Sequence, residues 1–411
     1  MITVDEALQH VLSHTRGRET NRVPVQDALG AVLAEEVFSD IDSPPHDKAM
    51  MDGYAIAAGD LSDASDAAID LEIIEEVTAG DVPTKSLSPG QATRIMTGAP
   101  VPDGVGAVVM IEQTELLNDG QDGQPARVRI QNAALAKGTN ILPRATSLAV
   151  GQSVLRPGTL IRPIEVGVLS EIGQTEVEVF SPPKVAVMTS GNELVTPDVK
   201  PGPGQIRNSN NPMLVALARR AGASVTDLGI ARDEEVAIAE MVREGLQHDV
   251  LILSGGVSAG VLDLVPKVLR ESGVEQVFHK VNLKPGKPVW FGVCNSEGRT
   301  TLVFGLPGNP VSSLVCFELF TRPAITSLRG EDHVAPPRIR ASLAQPHQQR
   351  GDRPVYFPGV LSETKEFPSV APLPWKGSAD LSTLSQANCL IYFPAGDRQY
   401  DAGDFIDVVR Q

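Results

Sequence analysis

Between Asp249 and Pro310 the chain twice runs through a short apolar stretch into a glycine-rich turn, and few folds accommodate that pattern. Asp249 to Leu253 and Thr301 to Phe304 are short, apolar and cut off by glycine, so each reads as a buried strand. The turns that follow are SGGVSAG and GLPGNP, and a helical pattern follows each. In an open α/β sheet the loops leaving the carboxyl ends of strands are where ligands sit. Ser254, Gly255, Gly256 and Ser258 in one turn, and Pro307, Gly308, Asn309 and Pro310 in the other, can aim backbone N–H groups at an anion with a helix dipole behind them. Asp263 lies where it could hold a hard cation, and Lys280, Lys284 and Lys287 surround the strand between the turns. Together these point to a phosphorylated ligand. Singly, Gly-Gly pairs and Pro-Gly turns are more often structural; two on adjacent elements change that balance.

Composition narrows the alternatives. A chain of 411 residues with 42% apolar content supports about two to four domains. A formal charge of −16 excludes a broad basic face for nucleic acid, so an anionic ligand must meet a local positive patch. Cys294, Cys316 and Cys389 are widely spaced, which indicates neither a disulfide framework nor a zinc finger, and a reducing cytosol is expected. The start MITVDEALQHVLSH lacks the pattern of a signal peptide, and no apolar run approaches the ~18 residues of a spanning helix, so no membrane association is expected.

Along the chain, Thr3 to His14 predicts a helix with Thr3 and Glu6 at capping-box spacing and a stripe of Val4, Leu8, Val11 and Leu12. VPVQDALGAVLAEEV continues in the same style. In MDGY, Asp52 stands beside a glycine that lets backbone approach a ligand, although a plain turn is the commoner reading of Asp-Gly. Residues 61–136 read as a small antiparallel β domain, within which Thr97 and Gly98 leave a strand directly. Helical spacing returns with Ile164, Val168 and Leu169 on one side; if this segment packs on the N-terminal helix, the β-rich part between them is an insertion. From Pro183 strands and helices alternate, the signature of a parallel sheet covered on both faces. Glu193 and Asp233 follow strand ends there, on the same expected edge as Ser254, Asp263 and Pro307. Asp233 also suits the first turn of the next helix. PVSSLVCFELFTRPAITSLRG reads as one closing helix. After Val334 the chain is β-like again, with Arg353 in one turn and Lys376, Gly377 and Ser378 in another.

The ordered set MDGYA, RIMTGAPVPDG, TSGNEL, LGIARD, SGGVSAGVLD, LKPGKP and GLPGNPVSS resembles the molybdopterin molybdenumtransferases, the MoeA family, related to the E domain of gephyrin. It spans nearly the whole chain. The resemblance implies a transferase that inserts molybdenum from molybdate into the dithiolene of adenylylated molybdopterin, releasing AMP with Mg²⁺. It implies a cytoplasmic homodimer of four-part subunits whose substrate comes from a molybdopterin adenylyltransferase. The expected fold class is α/β multidomain. A helical or extended linker domain (1–45 plus 137–178) carries an inserted β-rich domain (46–136). A parallel-sheet molybdopterin-binding domain (179–330) and a barrel-like C-terminal β domain (335–411) follow.

Carried over residue by residue, the family's functional groups fall on Asp52, Thr97, Glu193, Asp233, Asp263, Lys280 and Lys284, with Pro307 and Pro310 in the LPGNP turn. Arg353 and Ser378 match in the last domain. The chemistry suits these types. A terminal phosphate or pyrophosphate calls for backbone N–H groups and lysines. Mg²⁺ prefers carboxylate oxygens and kept waters, here Glu193, Asp233 and Asp263. Lys280, Lys284, Arg353 and Ser378 are the candidates for molybdate. The sequence departs from the family pattern at Lys48, Ala49 and Met50, where Asn-Ser-Ala is expected, and at Ser147, where an acid is expected. A generic metal-dependent phosphoanhydride hydrolase and a non-catalytic molybdopterin-binding scaffold are the competing readings.

Overall fold

In a computed structural model the chain is described over residues 1–411 except 16–18, 62–67, 121–123, 257–263, 297, 333 and 364–366. It divides into two units. One comprises Met1–Glu35, Pro157–Gly167 and Thr175–Gln411, the other Glu36–Arg156 and Val168–Gln174.

The first unit is built on a six-stranded sheet whose strands are, in chain order, β1 (Lys184–Ser190), β2 (Ser224–Ala231), β3 (Val250–Ser254), β4 (Glu275–His279), β5 (Trp290–Ser296) and β6 (Arg299–Leu306). Their spatial order is β2-β1-β3-β6-β5-β4. β2, β1, β3 and β6 are mutually parallel; β5 is antiparallel to both its neighbours, so the sheet is mixed where an all-parallel one is expected. Alternate residues divide between two cores. Val185, Val187, Val250 and Ile252 join the helix Asn210–Arg220 and the helix Pro310–Cys316 on one face. Ala186, Met188, Leu251 and Leu253 join the helices Glu235–Gly245 and Leu264–Glu271 on the other. This period-two split is what a sheet covered on both faces requires.

The N-terminal helix, Val4–Ser13, carries the expected capping box, with the Glu6 N–H on Thr3 Oγ1 at 3.2 Å and the Thr3 N–H on the Glu6 carboxylate at 2.7 Å. Its Val4, Ala7 and Val11 enter the first core. In the helix Pro163–Glu171, Leu169 is buried whereas Ile164 is exposed, so the stripe expected there is not a single buried face. The segment VPVQDALGAVLAEEV is not a helix. It forms the end of a strand (Thr20–Pro24), a single 3₁₀ turn (Val25–Asp27) and the short strands Val32–Leu33 and Val37–Phe38. Gly30, at φ +80°, turns the chain back so that Val32–Leu33 pairs with Glu176–Phe180, a long-range partner that overrides the apolar spacing.

The closing helix also differs from expectation. It runs Pro310–Cys316, loosens into a π turn over Phe317–Thr321 and resumes as Arg322–Leu328. Pro323 has no N–H for the carbonyl four residues back, and the wider turn absorbs that mismatch. The π turn faces Glu318 inward, where it pairs with Arg220 at 2.5 Å and Arg322 at 2.7 Å. C-terminal strands Arg338–Leu343, Ser369–Pro372, Val355–Ser362, Cys389–Phe393 and Phe405–Arg410 close into a barrel. No helix among the described residues is long and apolar enough to cross a membrane.

The second unit holds a six-stranded sheet in the order Val105–Met110, Gly53–Ala57, Gln91–Ile95, Ile69–Val77, Arg127–Ile130 and Thr114–Asn118. It is antiparallel except for the pair Ile69–Val77 and Gln91–Ile95, which is parallel.

The Glu318 carboxylate is 1% exposed, so removing Arg322 leaves one of its oxygens in the core without a cation while Arg220 keeps the other. Arg322→Ala is expected to cost about 3 kcal/mol in urea unfolding. Arg338→Ala, which loses an exposed 3.7 Å pair with Asp5, should cost less than about 1 kcal/mol.

Candidate functional site

The two glycine turns meet because their strands are neighbours. β3 and β6 pair in parallel with Ser254 opposite Leu306, so both turns leave the sheet at the same height. The Gly255 N–H reaches the Leu306 carbonyl at 3.3 Å. A side chain at Gly255 (φ +95°) would strike the Ser190 carbonyl, and one at Gly256 (φ +64°) would strike Val265 and the Ser190 hydroxyl. Only glycine satisfies both the dihedral and the space. Ser258 and Asp263 lie outside the described residues.

Asn210, at the start of its helix, fastens the turns to each other. Its amide nitrogen donates to Ser254 Oγ at 2.8 Å and to the Gly308 carbonyl at 2.7 Å, and the side chain is buried. Ser313 adds a short hydrogen bond to the Pro307 carbonyl. Asn210 carries no motif; its only signal in the sequence is the run of asparagines in RNSNN leading into an apolar helix, where buried amides need partners.

Glu193 and Asp233 stand at the carboxyl ends of β1 and β2, as expected. One oxygen of Asp233 accepts from the Asn192 N–H at 3.1 Å, and the Asp233 N–H returns a bond to the Asn192 side chain at 3.2 Å. The exposed Glu193 carboxylate lies over Gly191. No group of three or more His, Cys, Asp or Glu side chains with metal-site geometry occurs among the described residues.

The lysines occupy the other end of the same edge. Lys280 follows β4 with φ +70°, an uncommon conformation for a side chain of this size. Lys284 and Lys287 lie on the loop that enters β5. None of the three makes an ion pair with any described residue. The barrel holds this loop through the Lys284 N–H on the Pro354 carbonyl at 2.9 Å and the Tyr356 N–H on the Lys284 carbonyl at 2.8 Å. Arg353 donates to the Leu283 carbonyl at 3.3 Å. Ser378 accepts from the Asn309 side chain at 3.0 Å, and its carbonyl accepts from the Val311 N–H at 3.1 Å. Between them opens a cleft of about 610 Å³ lined by Lys284, Lys287, Pro307, Asn309, Arg353, Phe357, Trp375 and Ser378 among others. The structure thus brings Lys284, Pro307, Asn309, Arg353 and Ser378 into one cavity, with Ser254 and Gly308 adjoining.

In the second unit Asp52 and Thr97 are direct partners. Asp52 precedes one strand and Thr97 follows its antiparallel neighbour, with Gly53 opposite Ile95. Both the hydroxyl (2.6 Å) and the N–H (2.7 Å) of Thr97 donate to one Asp52 oxygen. These bonds hold the carboxyl below the usual aspartate range, the hydroxyl contributing most. A Cβ at Gly53 would overlap the Val109 carbonyl, which explains the glycine of MDGY by close approach. Of the departing positions, Lys48 and Ala49 form a short strand paired with Ile141–Leu142, and Met50 is exposed. Ser147 donates its N–H to the Ser43 carbonyl; Asp42, paired with Arg144 and accepting from the Val150 N–H, supplies a carboxylate in those loops.

Because the charged form of Asp52 is favoured, its contact with Thr97 is complete above the ordinary aspartate pKa and is lost as pH falls through the lowered value. Thr97→Val, which keeps the N–H and deletes the hydroxyl, should move the Asp52 pKa back up toward the usual range in a carbon-13 carboxyl titration. At Asn210 both partners are acceptors. Asn210→Ala should cost about 1–3 kcal/mol, and Asn210→Asp more than Ala, since a carboxylate there opposes the Gly308 carbonyl. Urea unfolding of the two variants checks that order.

Comparison with known proteins places these features in one lineage. Residues 2–173 match the MoeA N-terminal region (domain I and II), 186–327 a probable molybdopterin binding domain, and 340–410 the MoeA C-terminal region (domain IV). The molybdopterin molybdenumtransferase of Staphylococcus aureus is 32% identical over 410 residues, covering 99% of this chain and 95% of that protein. That of Staphylococcus epidermidis is also 32% identical, over 411 residues, with the same coverage. The crystal structure of the molybdopterin biosynthesis moeA protein from Pyrococcus horikoshii OT3 superposes with a TM-score of 0.83 at 28% identity, covering 100% of both chains. The chain therefore belongs to the MoeA family of molybdopterin molybdenumtransferases.

Proposed function

We propose that this chain is a molybdopterin molybdenumtransferase of molybdenum cofactor biosynthesis. It takes adenylylated molybdopterin and molybdate, inserts molybdenum into the dithiolene and releases AMP. The observation that carries this reading is the distribution of charge along one sheet edge. Acids follow β1 and β2, the glycine turns follow β3 and β6, and the lysines flank β4 and β5. Full-length similarity to enzymes of that name supports it.

In this reading the backbone around Ser254, Gly255, Gly256 and Gly308 holds phosphate; Ser258, in the same sequence motif, lies outside the described residues. Lys280, Lys284, Arg353 and Ser378 receive the oxyanion. Pro307 and Pro310 shape their turn, while Asn309 positions Ser378. Glu193 and Asp233 would hold Mg²⁺, with Asp263, which lies outside the described residues, as the third acid that the resemblance supplies. The fit is to a hard cation that keeps its waters: Asp233 Oδ1 has no partner among the described residues, and Glu193 is exposed. When bound, the ion offsets charge on the phosphoanhydride and on departing AMP. Asp52, kept ionised by Thr97, contributes a fixed negative charge to catalysis. The proposed assembly is a homodimer, which light scattering would weigh at twice the mass of the chain.

Incubation with adenylylated molybdopterin and Mg²⁺, with and without molybdate, tests the function by AMP release. Release that requires molybdate is the expected result. Hydrolysis indifferent to molybdate identifies a phosphoanhydride hydrolase, and binding without turnover identifies a scaffold. Asp233→Asn and Lys284→Ala should each lower the rate at least about tenfold, with unfolding midpoints close to the parent because both side chains are exposed.

A further inference from the structure

The cleft beside Lys284 has two unlike walls. Lys284, Lys287 and Arg353 make one cationic; Phe357 and Trp375, with Pro285, make the other aromatic and apolar. A tetrahedral oxyanion uses the first wall and has no use for the second. The volume, about 610 Å³, falls among pockets that enclose drug-sized organic molecules, about 300–1,000 Å³.

The aromatic wall is fixed from behind. Trp375 and Phe357 meet at 86° with centroids 5.2 Å apart, and Phe357 stands edge-on to His347 and Phe393 in the barrel core. Such interlocked rings hold their positions before any ligand arrives. Trp375 is only half-buried, and its indole N–H is sequestered from solvent without an acceptor among the described residues. An aromatic surface therefore lines the cavity in which the lysines converge, while the indole N–H of Trp375 is turned away from solvent.

We propose that Trp375 is a specificity-determining residue that packs against a planar, fused heteroaromatic ring of the substrate, beside the oxyanion that Lys284, Lys287 and Arg353 receive. The assignment rests on the function proposed above and adds to it where the ring goes. Adenylylated molybdopterin offers two rings of this chemistry, the pterin and the adenine, and the probes below separate them.

The test compares the full chain with Trp375→Ala and Trp375→Phe, using molybdopterin, AMP and inorganic molybdate as separate probes in equilibrium binding. Trp375→Ala should bind one of the two organic probes about tenfold more weakly and molybdate within about twofold of the parent. The probe that loses affinity names the ring. Trp375→Phe should recover most of the loss, because it restores an aromatic face. Tryptophan fluorescence supplies a contact readout: the chain has 2 Trp, and Trp290 is 2% exposed with its N–H on Gln276, so quenching by the probe reports Trp375. Unchanged affinity for both organic probes overturns the proposal, as does a molybdate loss that keeps step with theirs. Should Trp375→Ala not fold, absence of quenching by either probe in the parent overturns it. Failure of the transferase reading shows elsewhere, as molybdate-indifferent AMP release by the parent whatever Trp375 binds.

Discussion

Everything at the candidate site follows from two neighbouring parallel strands ending level with one another. With Ser254 opposite Leu306, the chain leaving β3 and the chain leaving β6 must pass within contact distance, and the Cα of Gly255 lies 3.9 Å from where a Cβ on Gly308 would stand. A Cβ on Gly308 would make only ordinary contact there, whereas one on Gly255 or Gly256 would strike Ser190 or Val265 and lift the first turn off the sheet. Glycine lets that turn close against β1 beside its neighbour, and closing buries polar backbone that must then be satisfied. Asn210 and Ser313 meet that requirement from two different helices. The helices of this face are therefore tied to the site as well as to the core. A shift in either would be felt at both turns, because packed interiors transmit displacement instead of absorbing it.

What could be read in the sequence was local. The apolar runs of β3 and β6, the capping box at Thr3 and the strand-end positions of Glu193 and Asp233 each depend on spacing within a few residues. Features set by distant partners were hidden. The segment around Leu29 has helical spacing but is claimed by a strand some 150 residues away, near Val179. The π turn depends on how Pro323 and the buried Glu318 are reconciled, which a periodic pattern cannot display. Nor could spacing show that the Lys284 loop is gripped by the barrel through Pro354 and Tyr356. Arg353 and Ser378 stand out in the sequence only as turn residues, and their contacts with Leu283 and Asn309 are explicit only in three dimensions. Trp375 and Phe357 carried no motif at all; their meaning comes from the cavity they line.

The net charge of −16 makes the local electrostatics more informative. On so acidic a chain a cluster of lysines has abundant opportunity for ion pairs, yet Lys280, Lys284 and Lys287 make none among the described residues. Lys267, on the helix beside β4, shows the ordinary alternative, pairing with Glu235 at 2.7 Å. The loop lysines are kept apart by geometry. Lys280 sits in a left-handed conformation, and the backbone of Lys284 is pinned on both sides by the barrel. Unpaired cations in a partly enclosed cleft concentrate potential that an exposed cluster would lose to solvent and salt.

The sheet order gives that potential a direction. Running β2-β1-β3-β6-β5-β4, the edge presents carboxylates, then glycine turns, then lysines. An extended ligand with a central diphosphate would meet uncharged N–H donors in the middle, a cation-binding end on one side and an oxyanion-binding end on the other. On the proposed function, sliding the diphosphate toward Glu193 and Asp233 would set it against carboxylates, so charge favours its place over the glycine turns before any side chain makes a specific contact. Specific contacts then need to discriminate only among ligands already aligned, which is work for the aromatic wall and not for more charge.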